Sequence, residues 1–114
     1  MATPRSMSEQ AFFILTALVD APLHGYGIVG EVKTLSSDRL TLRVGTLYGA
    51  LDRLTTEGLV EPDHDEVING RLRRYYRLTP DGRTTLALEA ERQAANARVA
   101  HRRLGLGLAG EGSS

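Results

Sequence analysis

The sequence predicts one mainly α-helical domain that carries a β-hairpin. Three observations indicate this fold class. Apolar residues recur at helical spacing in several segments, the pair Asn69-Gly70 separates two extended runs, and the pair Thr79-Pro80 begins a last long helical stretch. With 114 residues, the chain has room for a single domain around a single hydrophobic core.

The first helix is expected from a capping signal followed by an apolar run. Ser6 and Glu9 have the spacing of a capping box ahead of the apolar residues at 11–18, which predicts a buried helix. Asp20 and Pro22 are expected to end it.

The second helix contains the segment HGYGIVG at 24–30, whose G-x-G-x-x-G spacing is that of a dinucleotide-binding turn. Such a turn needs a preceding parallel strand, whereas the preceding segment is predicted to be a helix. Ile28, Val32 and Leu35 fall at i, i+4 and i+7, so the glycines belong to a second helix. The glycine spacing is therefore interpreted as a coincidence.

The third helix is the most clearly periodic of the set. Leu47, Leu51 and Leu54 repeat at helical spacing, and Gly58 supplies a C-terminal stop. Its opposite face carries Thr46, Tyr48, Gly49, Asp52 and Arg53.

The β-hairpin is predicted from extended runs on both sides of Asn69-Gly70. Alternation in the second run places four residues on one arginine-rich face, namely Arg71, Arg73, Tyr75 and Arg77. The first run is acidic and holds Glu61, Asp63, Asp65 and Glu66. Although the net charge of the chain is zero, this segregation predicts either a solvated hairpin with cross-strand ion pairs or a local anion-binding surface.

The last helix is expected to begin with Thr79 as its N-cap and to run to about Leu104, where Gly105 ends it. The order of three helices, a hairpin and a long helix is that of a winged helix-turn-helix followed by a C-terminal helix. The predicted organisation is a flexible start at 1–7, the winged domain at 8–78, the last helix at 79–104 and a disordered tail at 105–114.

Three segments in this order resemble the PadR family of bacterial transcriptional regulators. They are HGYGI, VGTLYGALDRLTTEGLVE and GRLRRYYRLTPDGR, and the resemblance covers about residues 8–104. The single C-terminal helix resembles the smaller PadR subgroup. The resemblance implies a homodimeric DNA-binding repressor, often autoregulated, whose affinity for its operator falls when a small molecule binds. A winged helix that binds only another protein remains the alternative.

The third helix of such a fold enters the major groove, so its outward residues Thr46, Tyr48, Gly49 and Arg53 are candidate DNA contacts. Arg71 and Arg73, nearest the hairpin tip, suit phosphate or minor-groove contact. The resemblance adds Tyr26 and Lys33 of the second helix as phosphate contacts.

Arg43 departs from the family pattern, which usually has a small polar residue two positions before Gly-Thr-Leu-Tyr. Because arginine cannot accept the amide hydrogen bonds of a helix start, either Thr41 or Asp38 caps the third helix or that start is looser. Arg43 is also a candidate phosphate contact.

The last helix is too long for a small winged domain to cover, which predicts a dimer interface. Its sparse apolar stripe consists of Leu86, Ala90, Ala94, Ala97, His101 and Leu104. We expect it to pack on the first helix of the partner chain, through Phe12 and Leu15. The resemblance implies a flat aromatic effector at this interface, where Phe12 and Phe13 are the only phenylalanines available; its identity is unknown.

Several other function classes are not expected. The chain has no cysteine, and His24, His64 and His101 lack metal-ligand spacing and are interpreted as structural or solvated. Without a nucleophile motif, we expect no enzyme activity, catalytic residue, metal or cofactor. The lack of a long apolar run and of a signal peptide predicts a cytoplasmic protein that does not associate with membranes.

Overall fold

The computed structural model describes residues 7–106. Within them, helices and strands follow in the order α1 (Glu9–Ala17), β1 (Leu23–His24), α2 (Gly25–Leu35), α3 (Val44–Thr56), β2 (Val60–Ile68), β3 (Arg71–Leu78) and α4 (Pro80–Arg103). The predicted fold class is confirmed, with β1 as an addition. The predicted flexible segment at 1–6 and the predicted disordered tail beyond residue 106 lie outside the described residues.

Helix α1 begins two residues later than the predicted capping box implied. Its N-cap is Ser8, whose hydroxyl accepts a hydrogen bond from the Ala11 amide at 3.0 Å. Glu9 is therefore the first helical residue and not the third, so the prediction of a capping box at Ser6 is wrong. Ser8 is the hydroxyl that lies within reach of the orphan amides of the helix start.

The core lies between the first three helices. Ile14 and Leu15 of α1, Ile28 of α2 and Leu47 and Leu51 of α3 have no exposed surface. These residues follow the helical spacing read from the sequence, because burying one stripe of each helix is what removes most apolar area from water.

The turn from α2 to α3 is held by one buried polar group. The Ser36 hydroxyl donates to the Lys33 carbonyl at 3.2 Å and accepts from the Leu40 amide at 3.0 Å. Ser37 and Asp38 have positive φ angles of 56° and 66°. These contacts set the angle at which α3 leaves the turn, and hence which of its faces is exposed.

The hairpin is one part of a three-stranded antiparallel sheet in the order β1-β3-β2. Asn69 and Gly70 both have positive φ, 51° and 76°, as a two-residue type I′ turn requires. In β1, Leu23 pairs with Tyr76 and His24 pairs with Tyr75. The register of β2 shifts between Pro62 and His64, which leaves Asp63 in a bulge.

Helix α4 is joined to the winged domain at its first turn. The Thr79 hydroxyl accepts from the Gly82 amide at 2.9 Å and donates to the Gly58 carbonyl at 2.6 Å. A Cβ on Gly82 would lie 2.1 Å from the carbonyl oxygen of Leu59, so only glycine permits this close approach.

Beyond Leu86, α4 extends away from the core, and residues 90–100 are all exposed. The helix ends at the predicted place, with Leu104 as C-cap and Gly105 at a φ of 77°. Among the described residues, no helix combines the length and apolarity needed to cross a membrane.

Candidate nucleic-acid interface

The start of α3 is exposed and has no side-chain cap. Arg43 is its N-cap residue and makes no capping hydrogen bond. Within residues 7–106, neither Thr41 nor Asp38 caps the helix in its place. The start of α3 is therefore the looser one that the sequence offered as an alternative to a cap. The first amide donors of α3 therefore remain available, next to the exposed guanidinium side chain of Arg43, for an anionic group.

The exposed face of α3 combines polar side chains with glycines. Thr46 and Gly49 are exposed, and a Cβ on Gly49 would meet no atom within 4 Å. Internal packing therefore does not require glycine at this position. Its effect is to lower the surface of the helix, so that another molecule can approach the backbone.

Tyr48 connects α3 to the start of α2. Tyr48 is 43% exposed, and its hydroxyl oxygen would lie 2.7 Å from a Cβ placed on Gly25. Gly25 is thus the residue that lets the hydroxyl of Tyr48 rest against the first turn of α2. The hydroxyl is consequently placed by the packing of the two helices.

Tyr26 and Arg73 are brought together although they are far apart in the sequence. The Arg73 guanidinium carbon lies 4.7 Å from the ring centre of Tyr26, a cation–π contact between α2 and the wing, which is the hairpin of β2 and β3. The Nε atom of Arg73 is buried and has no hydrogen-bond partner among the described residues. Two predicted DNA contacts therefore form one surface beside α3.

The charges of the wing are only partly neutralised by ion pairs. Arg77 Nε donates to Glu61 at 2.7 Å and its Nη1 lies 3.4 Å from Asp63, while Arg74 Nε lies 3.3 Å from Asp65. All of these pairs are exposed, so each stabilises the fold only slightly.

Arg71 and Arg73 form no ion pair with any residue of 7–106. The predicted cross-strand ion pairs are thus present at Arg74 and Arg77, and the anion-binding alternative stays a prediction for Arg71 and Arg73. The acidic strand pairs with the arginines at the base and middle of β3 and leaves the two arginines nearest the tip without a carboxylate partner.

Three rings form a row across the outer face of the sheet. The rings of His64 and Tyr75 are stacked with centres 4.4 Å apart, and His24 meets Tyr75 edge-on at 5.2 Å. His64 also bonds Asp63 through Nδ1 and Glu66 through Nε2, at 2.5 and 2.9 Å. Hydrogen bonds to Asp63 and then to Glu66 raise the pKa of His64 above its ordinary value.

His24 has a structural role that the sequence did not specify. Its Nδ1 accepts a hydrogen bond from the Gly27 amide at 3.2 Å and so caps α2. Histidine is a less common capping residue than serine or aspartate, so the residue type at position 24 does not by itself indicate a helix start.

Lys33 and Arg53 lie apart from the Tyr26–Arg73 contact. Lys33 is exposed in the last turn of α2. Arg53 borders a cavity of about 480 Å³ together with Glu57 of α3 and residues of α1 and α4. If Arg53 contacts DNA, it does so from the other edge of α3.

The candidate dimerisation residues are divided between core and surface. Leu15 has no exposed surface and Leu86 is 9% exposed, so both pack inside this chain and neither offers a direct contact to a partner. The remaining members are exposed or half-buried: Phe12, Ala90, Ala94, Ala97, His101 and Leu104. Helical periodicity marks Leu15 and Leu86 as apolar-face residues, but it does not distinguish an internal contact from an external one.

The sequence model described as the Transcriptional regulator PadR-like family matches residues 14–88. The transcriptional regulator Rv3488 of Mycobacterium tuberculosis is 40% identical over 73 residues, which are 64% of this chain and 64% of that protein. An uncharacterised 37.1 kDa protein in transposon TN4556 of Streptomyces fradiae is 41% identical over 87 residues, covering 76% of this chain but only 24% of the relative.

Solved structures show the same fold. A PadR family transcription regulator from Clostridium difficile R20291 has a TM-score of 0.72 at 23% identity, over 85% of this chain and 99% of that one. Bacillus subtilis PadR in complex with operator DNA has a TM-score of 0.62 at 24% identity, over 71% of this chain and 46% of that one.

Proposed function

Since the chain belongs to the PadR-like family of transcriptional regulators, we propose that it binds a double-stranded operator as a homodimeric, ligand-responsive repressor. Membership of a family of regulators confirms the expectation that the protein is not an enzyme. A regulator of this kind meets its operator in the cytoplasm, which is part of the proposal.

One observation carries the DNA-binding proposal. Arg71 and Arg73 have no carboxylate partner among the described residues, and Arg73 lies on Tyr26 beside the exposed start of α3. Unpaired cations next to an uncapped helix start form a surface to which phosphates bind. A module that binds only proteins does not require such a surface.

The roles of the α3 residues follow from the groove into which the helix fits. An α-helix fits the major groove, and its first turns meet the base edges. We assign Thr46 to base or phosphate contact, Tyr48 to phosphate through its hydroxyl, and Gly49 to close approach of the backbone. Tyr26, Lys33, Arg43 and Arg53 are assigned to the DNA backbone.

The dimer proposal rests on α4. Its 24 residues extend about 36 Å, and the distal part has no contact with the core. Leu104, on the same side of α4 as the alanines of the predicted stripe, is 70% exposed, and contact with a second chain would remove this apolar area from water. The small residues Ala90, Ala94 and Ala97 permit close helix contact.

Light scattering of the full chain and of a version that ends near Ala87 tests the dimer. We expect a dimer for the first and a monomer for the second. A full-length monomer at micromolar concentration would contradict the proposal.

The ligand-responsive part of the proposal is supported by a groove between α1 and α4. Phe12 and Phe13 line it together with Glu89 and Arg92, and its volume is about 360 Å³. Flat aromatic compounds fit a groove with two phenyl rings and a charged rim. Operator affinity measured with and without a panel of such compounds tests this part.

Selection of duplexes from a random pool tests DNA recognition against the alternative of a protein-binding module. We expect one enriched sequence with two related half-sites. Tyr48→Phe should then weaken all operator variants alike, whereas Thr46→Ala should change the preference at one position if Thr46 meets a base. Enrichment of no sequence would favour the protein-binding alternative.

A further inference from the structure

The exposed face of α3 carries one carboxylate, that of Asp52. Within residues 7–106 this carboxylate forms no ion pair, although the nearby wing contains several arginines. One of them, Arg74, pairs with Asp65 instead. Asp52 is therefore not explained as an ion-pair partner inside the protein.

A negative charge on a helix that faces DNA has a cost. Phosphates repel it, so it lowers the affinity for every duplex regardless of sequence. A carboxylate accepts hydrogen bonds but donates none, and the amino group N4 of cytosine is a donor exposed in the major groove. The carboxylate of Asp52 therefore favours DNA binding only where it meets such a donor.

The neighbours of Asp52 on this face leave room for it to reach a base. Gly45, Gly49, Asp52 and Thr56 follow at spacings of four, three and four residues, which places them on one side of the helix. A Cβ on Gly45 or on Gly49 would meet no atom within 4 Å. The two preceding turns therefore present bare backbone to the groove, and Asp52 lies about 4.5 Å along the axis beyond Gly49.

We infer that Asp52 is a specificity-determining residue whose carboxylate accepts a hydrogen bond from N4 of one operator cytosine and repels duplexes that lack this donor. The inference rests on the proposed DNA-binding function. It assigns to Asp52 two effects of opposite sign, a gain of affinity for the operator and a loss of affinity for unrelated DNA.

The test uses the full chain and the operator enriched by the wild type from a random duplex pool. Affinities of wild type, Asp52→Ala and Asp52→Asn are measured for that operator, for its single-base variants and for an unrelated duplex. Glu57→Gln is the matched control, because it removes one carboxylate at the C-terminal end of α3, where Glu57 borders the cavity with Arg53.

Asp52→Ala should bind the unrelated duplex more tightly than wild type does and should lose about 5- to 150-fold of its preference at one C·G position. Asp52→Asn should shift the preference at that position towards A·T, since asparagine pairs with adenine N6 and N7. Glu57→Gln should leave the base preference unchanged.

An unchanged preference at every position for both Asp52 variants, with wild-type melting temperatures, would overturn the inference. Tighter binding to all duplexes without a change of preference would also overturn it, because Asp52 would then only repel phosphates. If the wild type enriches no sequence, the proposed function fails and this inference fails with it.

Discussion

Replacement of Arg71 by alanine tests whether the wing contacts DNA. Arg71 is exposed near the hairpin tip and has no ion-pair partner within residues 7–106. Its removal should therefore change the melting temperature little, since within residues 7–106 its side chain makes no ion pair. Its expected effect is on the salt dependence of operator binding.

The magnitude follows from counterion release. Each neutralised phosphate contributes about 0.9 to the slope of log affinity against log salt concentration. In a dimer Arg71 occurs twice, so Arg71→Ala should flatten the slope by about 1.8. Over a fourfold rise in salt, the variant should then lose about 12-fold less affinity than the wild type.

Two matched variants separate a phosphate contact from other effects. Arg71→Lys keeps the charge and should keep the slope. Arg77→Ala removes an arginine from the same strand, but one that is paired with Glu61 and Asp63, so the slope should change little. Arg73→Ala should flatten the slope as Arg71→Ala does. It should also lower the free energy of unfolding by about 0.5–1 kcal/mol, because the contact with Tyr26 is lost.

The assay is operator affinity by fluorescence anisotropy at five or more salt concentrations, with the melting temperature of each variant as a check on folding. A slope for Arg71→Ala equal to that of the wild type would refute the wing contact. An equal flattening by Arg77→Ala would show that the effect reports overall charge and not a contact.

Three further predictions concern the scaffold. Gly82→Ala should lower the free energy of unfolding in urea by about 1–3 kcal/mol, because the new Cβ would collide with the Leu59 carbonyl; an unchanged or higher value would contradict the close approach. His64→Gln should destabilise the fold more at about pH 6 than at about pH 8. Hydrogen bonds to Asp63 and then to Glu66 raise the pKa of His64 above 6.5. The stabilisation by His64 is therefore complete below pH 6.5 and is lost as the pH rises through the raised pKa. Equal losses of unfolding free energy at both pH values in urea titrations would argue against this role of His64. His24→Ala should cost about 1 kcal/mol through loss of the α2 cap, and His24→Asn should recover most of it; thermal unfolding that shows no difference between the two variants would rule out the cap.

Local physical chemistry made most elements predictable from the sequence. The turn at Asn69-Gly70 needs two positive φ angles, and this pair accepts them at low cost. Thr79 caps α4 by a hydrogen bond that spans only three residues. The stripe of leucines at Leu47, Leu51 and Leu54 has the period of a helix, so it predicts a buried face.

Other features depended on which segments pack together. Strand β1 has only two residues, too few for an alternating pattern, and it exists because Leu23 and His24 pair with β3. Leu15 and Leu86 carry the same apolar signal as an interface residue, and only the packing of α1 and α4 places them inside the chain. The first cap at Ser8 likewise depends on which hydroxyl lies near the amide of Ala11.

In the candidate site, too, some features follow from the local sequence and others depend on tertiary packing. The sequence by itself determined that arginines and carboxylates face each other across one hairpin, since strand alternation and the Asn69-Gly70 turn are local properties. Only the tertiary structure decided which arginines are neutralised. The bulge at Asp63 and the register of β2 against β3 direct carboxylates to Arg74 and Arg77, and the packing of α2 places Tyr26 under Arg73. Ion pairing acts over a few ångströms, so it depends on distances between strands that no sequence pattern specifies.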